Sequence, residues 1–549
     1  MITKVMCGIF AYMGKSISAW DVEDEYMNTS NRGPDNNILK TISKHLTFGF
    51  HRLAIMDKSF KGNQPLYHPN KPYTIICNGE IYNYKELVKD HNLEPYSNSD
   101  CEVILYLYEK YGITKTLELL DTEAFALCIY DGIKNEFIVA RDRFGVRPLF
   151  ISIRQNTEVV IASEAKSIIN LIDDADNLTQ FSPGTWSSYD VNTFKHLNTH
   201  RYYDYRYPTI NNTNETEICQ TINKLLTLSV KKRLMSERPI GCLLSGGLDS
   251  SLISALVAKE FLKSGKGTLE TFSVGMKGST DLMYAQKVAD HIGSKHHTIE
   301  LTEDDFLSAI PEVIYHIESY DTTTVRASVG NYLVGKYIKE NTYITVVFNG
   351  DGSDEQSGYL YMGNAPDEYA FKAECERLLS EIHFFDVLRS DRALSSNWSL
   401  ETRAPFLDTD FVNYYMSINT KLKMYPKGSG IIEKYLLRKA FDTDNLLPSD
   451  VLWRQKEAFS DGCSSNERSW HKIIQEHTDA NITDYEFNRL SVTIKHNTPE
   501  IKETYYYRTL FERTYANRAN IIPHYWLPKW CGNQIDPSAR ELDVYEANA

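Results

Sequence analysis

One short run, SGGLDS at residues 245–250, has the residue types of a phosphate-binding loop. Two consecutive glycines let backbone N–H groups crowd around an anion, and a helix that begins there directs its positive end at the same point. The hydroxyls of Ser245 and Ser250 add donors. Asp249 alone would repel phosphate, so its carboxylate indicates a divalent cation between the two. The GxxxxGK[ST] pattern is absent, which excludes a Walker A loop.

A second loop with glycines and acids, NGDGSDE at residues 349–355, also follows a short apolar run. Taken alone, six residues such as SGGLDS fit an ordinary tight turn capped onto a helix equally well. Two such loops in one predicted sheet favour a binding site over a plain turn, because the ligands of open α/β sheets bind at the carboxyl ends of the strands. The pair therefore predicts a nucleotide and Mg²⁺.

Cys7 raises a question about the first part of the chain, because six residues precede it. Its thiol is either the start of a working enzyme or a buried residue in a chain that never exposes it.

The elements that must position these residues follow two patterns. Residues 7–200 contain short apolar runs bounded by Gly, Pro, Asn and Asp, which predict antiparallel strands of a sandwich-like layer. A Pro-, Asn- and Thr-rich stretch at 201–217 is interpreted as a linker. Beyond it, apolar runs at 240–244, 271–276 and 344–350 alternate with helical segments, and this βαβ rhythm predicts a parallel sheet.

Helical spacing dominates from about residue 370 onward and predicts a helical layer against this sheet. The neighbouring His296 and His297 resemble a metal-binding pair. Adjacent residues of a strand point to opposite faces, so we interpret them as packing and surface residues.

Composition narrows the class of protein. A chain of 549 residues predicts two or more domains. Subtracting 73 acidic from 59 basic residues leaves −14, a charge that repels nucleic acid and anionic membranes, so neither is expected as a partner. The nine cysteines are scattered singly, and the sequence has no signal-peptide pattern or long apolar run. Reduced thiols and a cytoplasmic location are the expectation.

Several stretches carry a resemblance to a known family. SGGLDS is the pyrophosphate-loop motif of ATP pyrophosphatases, which cleave ATP between its α and β phosphates. With its first domain included, the chain resembles glutamine-hydrolysing asparagine synthetases over almost its entire length. The matching stretches are Cys7-Gly8-Ile9, RGPD (32–35), HRLAIMD (51–57), NGEIYN (78–83), SDCEV (99–103), RDRFGVRPL, SGGLDSS, VIYHIESYDTTTVRAS, LETRAPFLD, WRQKEAFSDG and DPSAR.

The resemblance implies a fold that is α+β and then α/β. An N-terminal-nucleophile four-layer αββα sandwich, the glutaminase, would span residues 7–200. The linker would follow at 201–217. A doubly wound parallel-sheet adenine-nucleotide α-hydrolase domain with additional C-terminal helices would span 218–549 and bind ATP.

The resemblance also implies a reaction. Glutamine is hydrolysed at the first site, and the ammonia passes internally to the second. There aspartate, activated by ATP as β-aspartyl-AMP, is converted to asparagine, with glutamate, AMP and pyrophosphate as the other products. The substrates are small molecules, Mg²⁺ assists ATP, and the oligomeric state stays open, a homodimer included.

Residue roles at the first site are carried over from the family. Cys7 would form a thioester with glutamine, with its own free α-amino group, of pKa ~7.7 to 8.0, as the base. Asn78 and the backbone N–H of Gly79 would form the oxyanion hole. Arg52 would grip the substrate carboxylate and Asp100 its ammonium. The implied glutamine-binding set is Arg52, Leu53, Ala54, Ile55, Met56, Asn78, Gly79, Glu80 and Asp100.

At the second site, Lys456 would neutralise charge at the α-phosphate, and Asp249 with Asp354 would bind Mg²⁺. Leu244 and Val274 would meet the adenine through their backbones. The implied ATP-binding set is Leu244, Ser245, Gly246, Gly247, Asp249, Ser250, Val274, Asn349 and Gly350. The implied catalytic set is Cys7, Asn78, Gly79, Asp351 and Lys456.

Two features depart from the family pattern. The family begins Met-Cys, so initiation at Met6 or cleavage of a short propeptide would expose the amine of Cys7. Without either event, the enzyme would depend on free ammonia. Asp351 stands where the family typically has Glu, a residue important for forming and using the acyl-adenylate. Its side chain is shorter by one C–C bond of ~1.5 Å, so slower chemistry, a compensating backbone shift or an altered acceptor stay open.

Two alternatives to asparagine synthesis remain. A related ATP-dependent amidotransferase would use another carboxylate acceptor, although the β-lactam-forming relatives lack the nucleophilic cysteine. A non-catalytic protein that binds a nucleotide or amino acid would fit the blocked Cys7 and the shortened Asp351. Glutamine-dependent production of AMP, with aspartate present or omitted, separates these hypotheses.

Overall fold

The computed structural model describes residues 7–15, 19–443 and 445–541. The expectation about the start of the chain, which concerns residues 1–6, lies outside the described residues, as do the last residues of the predicted second domain. The chain divides into two compact units. The first comprises Met1–Asp204, Met235–Pro239 and Ser395–Glu401, and the second comprises Tyr205–Leu234, Ile240–Leu394 and Thr402–Ala549. No helix within the described ranges is long and apolar enough to span a membrane.

The first unit is built on two antiparallel sheets, each of six strands within the described residues. The strands are β1 (Gly8–Gly14), β2 (Asn36–Ser43), β3 (Leu46–Arg52), β4 (Leu66–Tyr67), β5 (Tyr73–Gly79), β6 (Phe125–Asp131), β7 (Glu136–Arg141), β8 (Phe150–Arg154), β9 (Glu158–Ala162), β10 (Leu178–Gln180), β11 (Thr185–Asp190) and β12 (His196–Arg201). One sheet has the order β10-β8-β9-β1-β3-β2 and the other β12-β11-β7-β6-β5-β4.

Alternate residues of these strands enter different cores. On β5, Ile76 packs between the sheets, whereas Ile75 packs toward the helices α2 (Tyr84–His91) and α3 (Val103–Leu119). On the outer side of the other sheet, Tyr26 of α1 (Glu23–Met27) stacks on His51 with ring centroids 3.9 Å apart. Strands β1, β3, β5 and β6 are buried along almost their entire length because both of their faces are covered, whereas the edge strands β2 and β12 are partly or fully exposed. The predicted four-layer αββα sandwich is confirmed.

The second unit contains parallel strands β13 (Ile240–Leu243), β14 (Glu270–Met276), β15 (Lys295–Leu301) and β16 (Val346–Phe348). They pair in the order β15-β14-β13-β16. The chain moves outward from β13 to β15 and then returns to the other side of β13. Such a reversal leaves a crevice at the carboxyl ends of the two strands beside it, here β13 and β16. The predicted parallel sheet is confirmed.

Helices form most of the remaining second half of the chain, as their spacing predicts. They are α4 (Glu215–Lys232), α5 (Leu248–Ser264), α6 (Thr280–Ile292), α7 (Glu303–Ile317), α8 (Thr322–Asn341), α9 (Ser353–Ser357), α10 (Glu368–Val387), α11 (Ala393–Ser395), α12 (Thr409–Ser417), α13 (Tyr435–Ala440), α14 (Ser449–Leu452), α15 (Phe459–Gly462), α16 (Trp470–Asn481), α17 (Asp484–Leu490) and α18 (Lys502–Glu512), with a π-helical turn at Leu388–Arg392 and a short strand, β17, at Glu401–Arg403. Helix α4 begins inside the stretch interpreted as the linker, because the Asn214 side chain caps its first turn.

Candidate active sites

The SGGLDS loop joins β13 to α5, in the strand–loop–helix order that its residue types predict. Gly246 has φ of +81°, and a Cβ there would lie 2.5 Å from the backbone N of Ala285, so no side chain fits. Ser250 Oγ lies 3.0 Å from Ser245 Oγ and accepts a hydrogen bond from the Ser245 backbone N at 3.2 Å. The loop thus places two hydroxyls and the positive end of α5 at one point.

The NGDGSDE loop follows β16 and contacts the SGGLDS loop. Ser353 Oγ donates to Asp249 Oδ1 at 2.7 Å. At Gly350 an added Cβ would lie 2.8 Å from the backbone N of Ser250, so glycine permits the close approach of the two loops. The two acid-bearing loops form one site, because parallel strands end at the same edge of the sheet.

Two carboxylates and two ammonium groups form a compact cluster in this site. Lys434 Nζ lies 2.7 Å from Asp249 Oδ2 and 2.6 Å from Asp354 Oδ1. Lys456 Nζ lies 3.3 Å from Asp249 Oδ2 and 2.8 Å from Asp354 Oδ2. Burial opposes ionisation of Asp249, but Lys434 and Lys456 together lower its pKa well below the usual range. The two negative and two positive charges of the cluster balance. Such pairing is what allows charged groups to be buried.

Lys434 is a member of this cluster that sequence reasoning missed. Its side chain is 0% exposed, and its φ of +60° is unusual for a residue other than glycine. It lies outside the matching family stretches, at the start of α13, where a lysine is ordinarily solvated. No local sequence pattern marks this lysine, because its partner Asp249 is 185 residues away along the chain and only the tertiary structure brings the two together.

A pocket extends from this cluster along the carboxyl ends of the strands. Phe272, Val334 and Phe459 contribute apolar wall, which suits a nucleotide base. The sequence-predicted residues that line it are Leu244, Ser245, Gly247, Asp249, Ser250, Val274, Asn349, Gly350, Asp351, Asp354 and Lys456. The structure therefore brings almost the whole predicted second site together, with Gly246 in the same loop.

Acidic and basic groups that sequence reasoning did not assign line another part of the pocket. Tyr359 hydroxyl lies 2.8 Å from Glu355 Oε1 and 3.1 Å from Asp386 Oδ1. Arg389 Nη2 lies 2.7 Å from Asp386 Oδ1. Burial, with Asp386 next, raises the pKa of Glu355 well above its ordinary value. Burial also raises the pKa of Asp351 to about 6.

In the first unit, Cys7 lies against the predicted glutamine-binding segment. The backbone N of Leu53 lies 3.3 Å from Cys7 Sγ, and Leu53 O lies 3.4 Å from the same sulfur. Burial raises the pKa of the Cys7 thiol to about 12. The thiol is therefore protonated near neutral pH, and a nucleophilic role requires a base beside it.

The side-chain nitrogen of Asn78 is a buried hydrogen-bond donor that is available to a ligand. It lies on β5, is 2% exposed, and its Nδ2 has no hydrogen-bond partner within the described part of the chain. Leaving a buried donor unpaired costs about 1 to 3 kcal/mol, so such atoms usually meet a ligand or water. An anionic oxygen is a suitable acceptor.

Arg52 and Asp100 instead hold the protein backbone. Arg52 Nη1 donates to Ser59 O at 2.8 Å, and Nη2 donates to Met56 O at 3.3 Å and to the carbonyl of Asp57. Asp100 Oδ2 accepts from the backbone N of Ile81 at 2.6 Å. The Arg52 contacts order the loop around residues 53–63, and Asp100 fixes the backbone at Ile81; the sequence indicated neither role. The contact of either side chain with glutamine stays a prediction.

Comparisons with known proteins follow the same division of the chain. Residues 6–202 match the family model of the glutamine amidotransferase domain, and residues 221–372 and 362–531 match that of asparagine synthase. The chain is 40% identical over 564 residues to the glutamine-hydrolysing asparagine synthetase of Homo sapiens, covering 99% of each chain. It is 40% identical over 566 residues to that of Rattus norvegicus, covering 99% of this chain and 100% of the relative. It is 40% identical over 564 residues to that of Gallus gallus, covering 99% of each. The chain belongs to the family of glutamine-hydrolysing asparagine synthetases.

Proposed function

We propose that this chain synthesises asparagine from aspartate, ATP and glutamine, with β-aspartyl-AMP as intermediate and glutamate, AMP and pyrophosphate as the other products. The observation that carries the proposal is the cluster of Asp249, Asp354, Lys434 and Lys456 beside the SGGLDS loop. The cluster supports the proposal because its cations would offset the negative charge of the ATP phosphates. Family membership supplies the acceptor and the nitrogen donor.

ATP cleavage between the α and β phosphates follows from the charges of the pocket. The positive end of α5 and the hydroxyls of Ser245 and Ser250 favour the pyrophosphate anion. Lys456 would face the α-phosphate, whereas the fully buried Lys434 would hold the carboxylates of Asp249 and Asp354 in place. Fixed cations in a buried site stabilise charge that develops in the transition state.

Asp249 and Asp354 are the proposed ligands of Mg²⁺. The two carboxylates already converge on one shared ammonium group, at 2.7 and 2.6 Å, so they are close enough to share a cation. Mg²⁺ takes oxygen ligands and commonly combines one or two carboxylates with phosphate oxygens. When bound, the ion would neutralise the triphosphate.

The mixed charges near Asp351 suit a zwitterionic acceptor such as aspartate. Arg389 supplies a cation, and Asp351 and Glu355 line the same pocket. With a pKa of about 6, Asp351 is mostly ionised at neutral pH. Its carboxylate would accept a proton from ammonia as the nitrogen attacks the acyl carbon.

Cys7 is the proposed nucleophile for glutamine. Its sulfur would attack the amide carbon, the free α-amine of Cys7 would take the thiol proton, and Asn78 Nδ2 with the Gly79 N–H would hold the oxyanion. The high pKa of this thiol makes the base essential. Glutamine use therefore requires a chain that begins at Cys7.

We further propose that the chain is cytoplasmic and forms a homodimer. We also propose that it acts on small molecules and has neither a nucleic-acid nor a membrane partner. The net charge of −14 supports the last part, because it repels polyanions. Light scattering tests the assembly, and a particle of 63.1 kDa contradicts the dimer.

The test supplies the purified chain with ATP, Mg²⁺ and aspartate, and with glutamine or ammonium in turn. We expect asparagine and AMP in equal amounts, and AMP should not form when aspartate is omitted. AMP that forms only with a different carboxylate would favour the alternative acceptor. A chain that binds ATP but yields no AMP with either nitrogen donor would be a binding protein, and the proposal would fail.

A further inference from the structure

Asn349 turns both polar atoms of its side chain toward Asp351. Asn349 Nδ2 donates to Asp351 Oδ2 at 3.0 Å, and the Asp351 backbone N donates to Asn349 Oδ1 at 3.3 Å. Asn349 is 4% exposed, and its own backbone N donates to Arg403 O at 3.0 Å. The two residues thus form a closed ring of hydrogen bonds immediately after β16.

The Asp351 carboxylate otherwise has neighbours that act in opposite directions. Arg389 and the Ser390 hydroxyl attract it, whereas the charge of Asp354 repels it. An aspartate side chain has three staggered χ1 rotamers, and its contacts select among them. The Asn349 amide adds a directional hydrogen bond to Asp351 Oδ2, which favours one orientation of the carboxylate.

The backbone of the loop has little room to reposition Asp351. An added Cβ at Gly350 would lie 2.8 Å from the Ser250 backbone N, and one at Gly352 would lie 2.5 Å from Leu407 Cδ2. Gly352 also has φ of +89°. Tight packing on both sides of Asp351 leaves the orientation of its carboxylate to side-chain contacts.

We propose that Asn349 is a positioning residue that aims the Asp351 carboxylate at the acyl-adenylate. This inference rests on the proposed function, in which Asp351 accepts a proton from the attacking nitrogen. A carboxylate on a short side chain has few orientations that reach the reacting atoms. The amide of Asn349 holds it in one of them, so the role of Asn349 is exerted through Asp351.

A double-mutant cycle tests the inference, using asparagine formation from ammonium with saturating ATP and aspartate. Loss of a hydrogen bond to a charged group should lower kcat of Asn349→Ala by about tenfold to a hundredfold, with KM for ATP changed less than about twofold. In the Asp351→Glu background the same substitution should lower kcat by less than about threefold, because the longer carboxylate lies beyond the amide.

Three further measurements separate positioning from structural damage. Asn349→Asp keeps the shape but replaces the donor with a carboxylate oxygen that repels Asp351 Oδ2, and it should lower kcat at least as much as Asn349→Ala. Asn223→Ala removes an amide that donates to Ala440 O at 2.9 Å outside the pocket, and should retain full kcat. Glutaminase activity of every variant should equal that of the parent.

The possible results distinguish failure of the proposed function from failure of the inference about Asn349. A parent chain that forms no asparagine contradicts the proposed function itself. An active parent with an unchanged Asn349→Ala variant overturns the inference alone. Equal losses in both backgrounds, or a raised KM for ATP with unchanged kcat, would also overturn it, because Asn349 would then act independently of Asp351.

Discussion

Lys434 and Lys456 contact the same carboxylates but stand in different surroundings. The Lys456 side chain is 18% exposed, whereas that of Lys434 is 0% exposed. A ligand can therefore reach Lys456 with little rearrangement, while Lys434 is part of the interior. Removing one partner from a buried ion pair leaves an uncompensated charge, which is strongly destabilising.

We expect methionine at the two positions to have different effects. Lys456→Met should abolish ATP-dependent AMP formation with a small change in stability. Lys434→Met should abolish it too, and should lower the free energy of unfolding by about 3 to 5 kcal/mol, because the Lys434 side chain is fully buried and solvent cannot replace its lost charge, as it can at Lys456. AMP assays and thermal denaturation measure the two effects.

The matched control is Lys287→Met, which removes an ion pair between two half-exposed side chains, Lys287 and Asp450. Exposed pairs contribute little, so this variant should resemble the parent in both assays. Equal stability of the Lys434 and Lys456 variants would contradict the assignment of Lys434 as the buried member.

At the scale of elements, the turn from β13 into α5 depends on a glycine that packing makes irreplaceable. Gly246 combines a positive φ with close contact to the backbone in the middle of α6, at Tyr284 and Ala285. Gly265, at the other end of α5, has a similar φ of +65° but nothing within 4 Å of an added Cβ. Alanine would strain the backbone at both positions but would displace the loop only at Gly246, so comparing the two variants separates these effects.

Gly246→Ala should eliminate ATP-dependent activity, because the loop must move away from α6 to accept a methyl group. Gly265→Ala should keep that activity and cost about 1 kcal/mol, the usual penalty for a left-handed residue other than glycine. Pyrophosphate release and melting temperature are the measurements. Normal activity of Gly246→Ala would contradict the close packing at this turn.

The two histidines of β15 lie on opposite faces of the strand, as their spacing predicts. His296 Nε2 lies 2.9 Å from Ser273 Oγ, whereas His297 stacks on Phe272. Burial, with the neighbouring His297, lowers the pKa of His296 to about 4. His296 is therefore neutral in the folded protein, and the described residues contain no group of three or more potential metal ligands.

The lowered pKa predicts a loss of stability in acid. The unfolded His296 binds a proton below about pH 6.5, while the folded one resists until about pH 4, so stability is full above 6.5 and falls between these values. At pH 5 the loss should be about 2 kcal/mol, and His296→Gln should remove it. Denaturation at pH 8 and pH 5 measures the difference. The exposed His291, changed to Gln, should leave the pH dependence intact.

At the scale of the whole molecule, the two chemistries use separate sets of residues. Cys7 and Asn78 belong to the first unit, and Asp249, Asp354 and Lys456 belong to the second. Separate sites allow one reaction to be lost while the other continues, provided that each unit still folds.

Cys7→Ala should abolish asparagine formation from glutamine and leave formation from ammonium within about twofold, because only the nucleophile is lost. Glutamate and asparagine assays with each nitrogen donor measure this. Cys128→Ala, a buried thiol in β6, is the matched control and should retain both activities. Loss of ammonium-dependent synthesis in Cys7→Ala alone would show that the sites are not separable.

The state of the N-terminus should control the use of glutamine. A chain that begins at Cys7 should hydrolyse glutamine, whereas one that keeps residues 1–6 should use ammonium only, because its Cys7 nitrogen is an amide and not a base. Mass spectrometry of the intact protein identifies the form, and the glutaminase assay is run on each. Equal glutamine hydrolysis by both forms would exclude the α-amine as the base.

The sequence alone determined the two fold classes, their order and the loops that meet at the second site. Those features are local: strand periodicity, glycine spacing and the helix that follows the SGGLDS loop are each encoded within about twenty residues. Tertiary structure alone decided which partners those residues have. The burial of Lys434 between Asp249 and Asp354 and the crowding of Gly246 against Ala285 both join distant segments. Hydrogen bonds and ion pairs act over a few ångströms of space, and separation along the chain does not specify that distance.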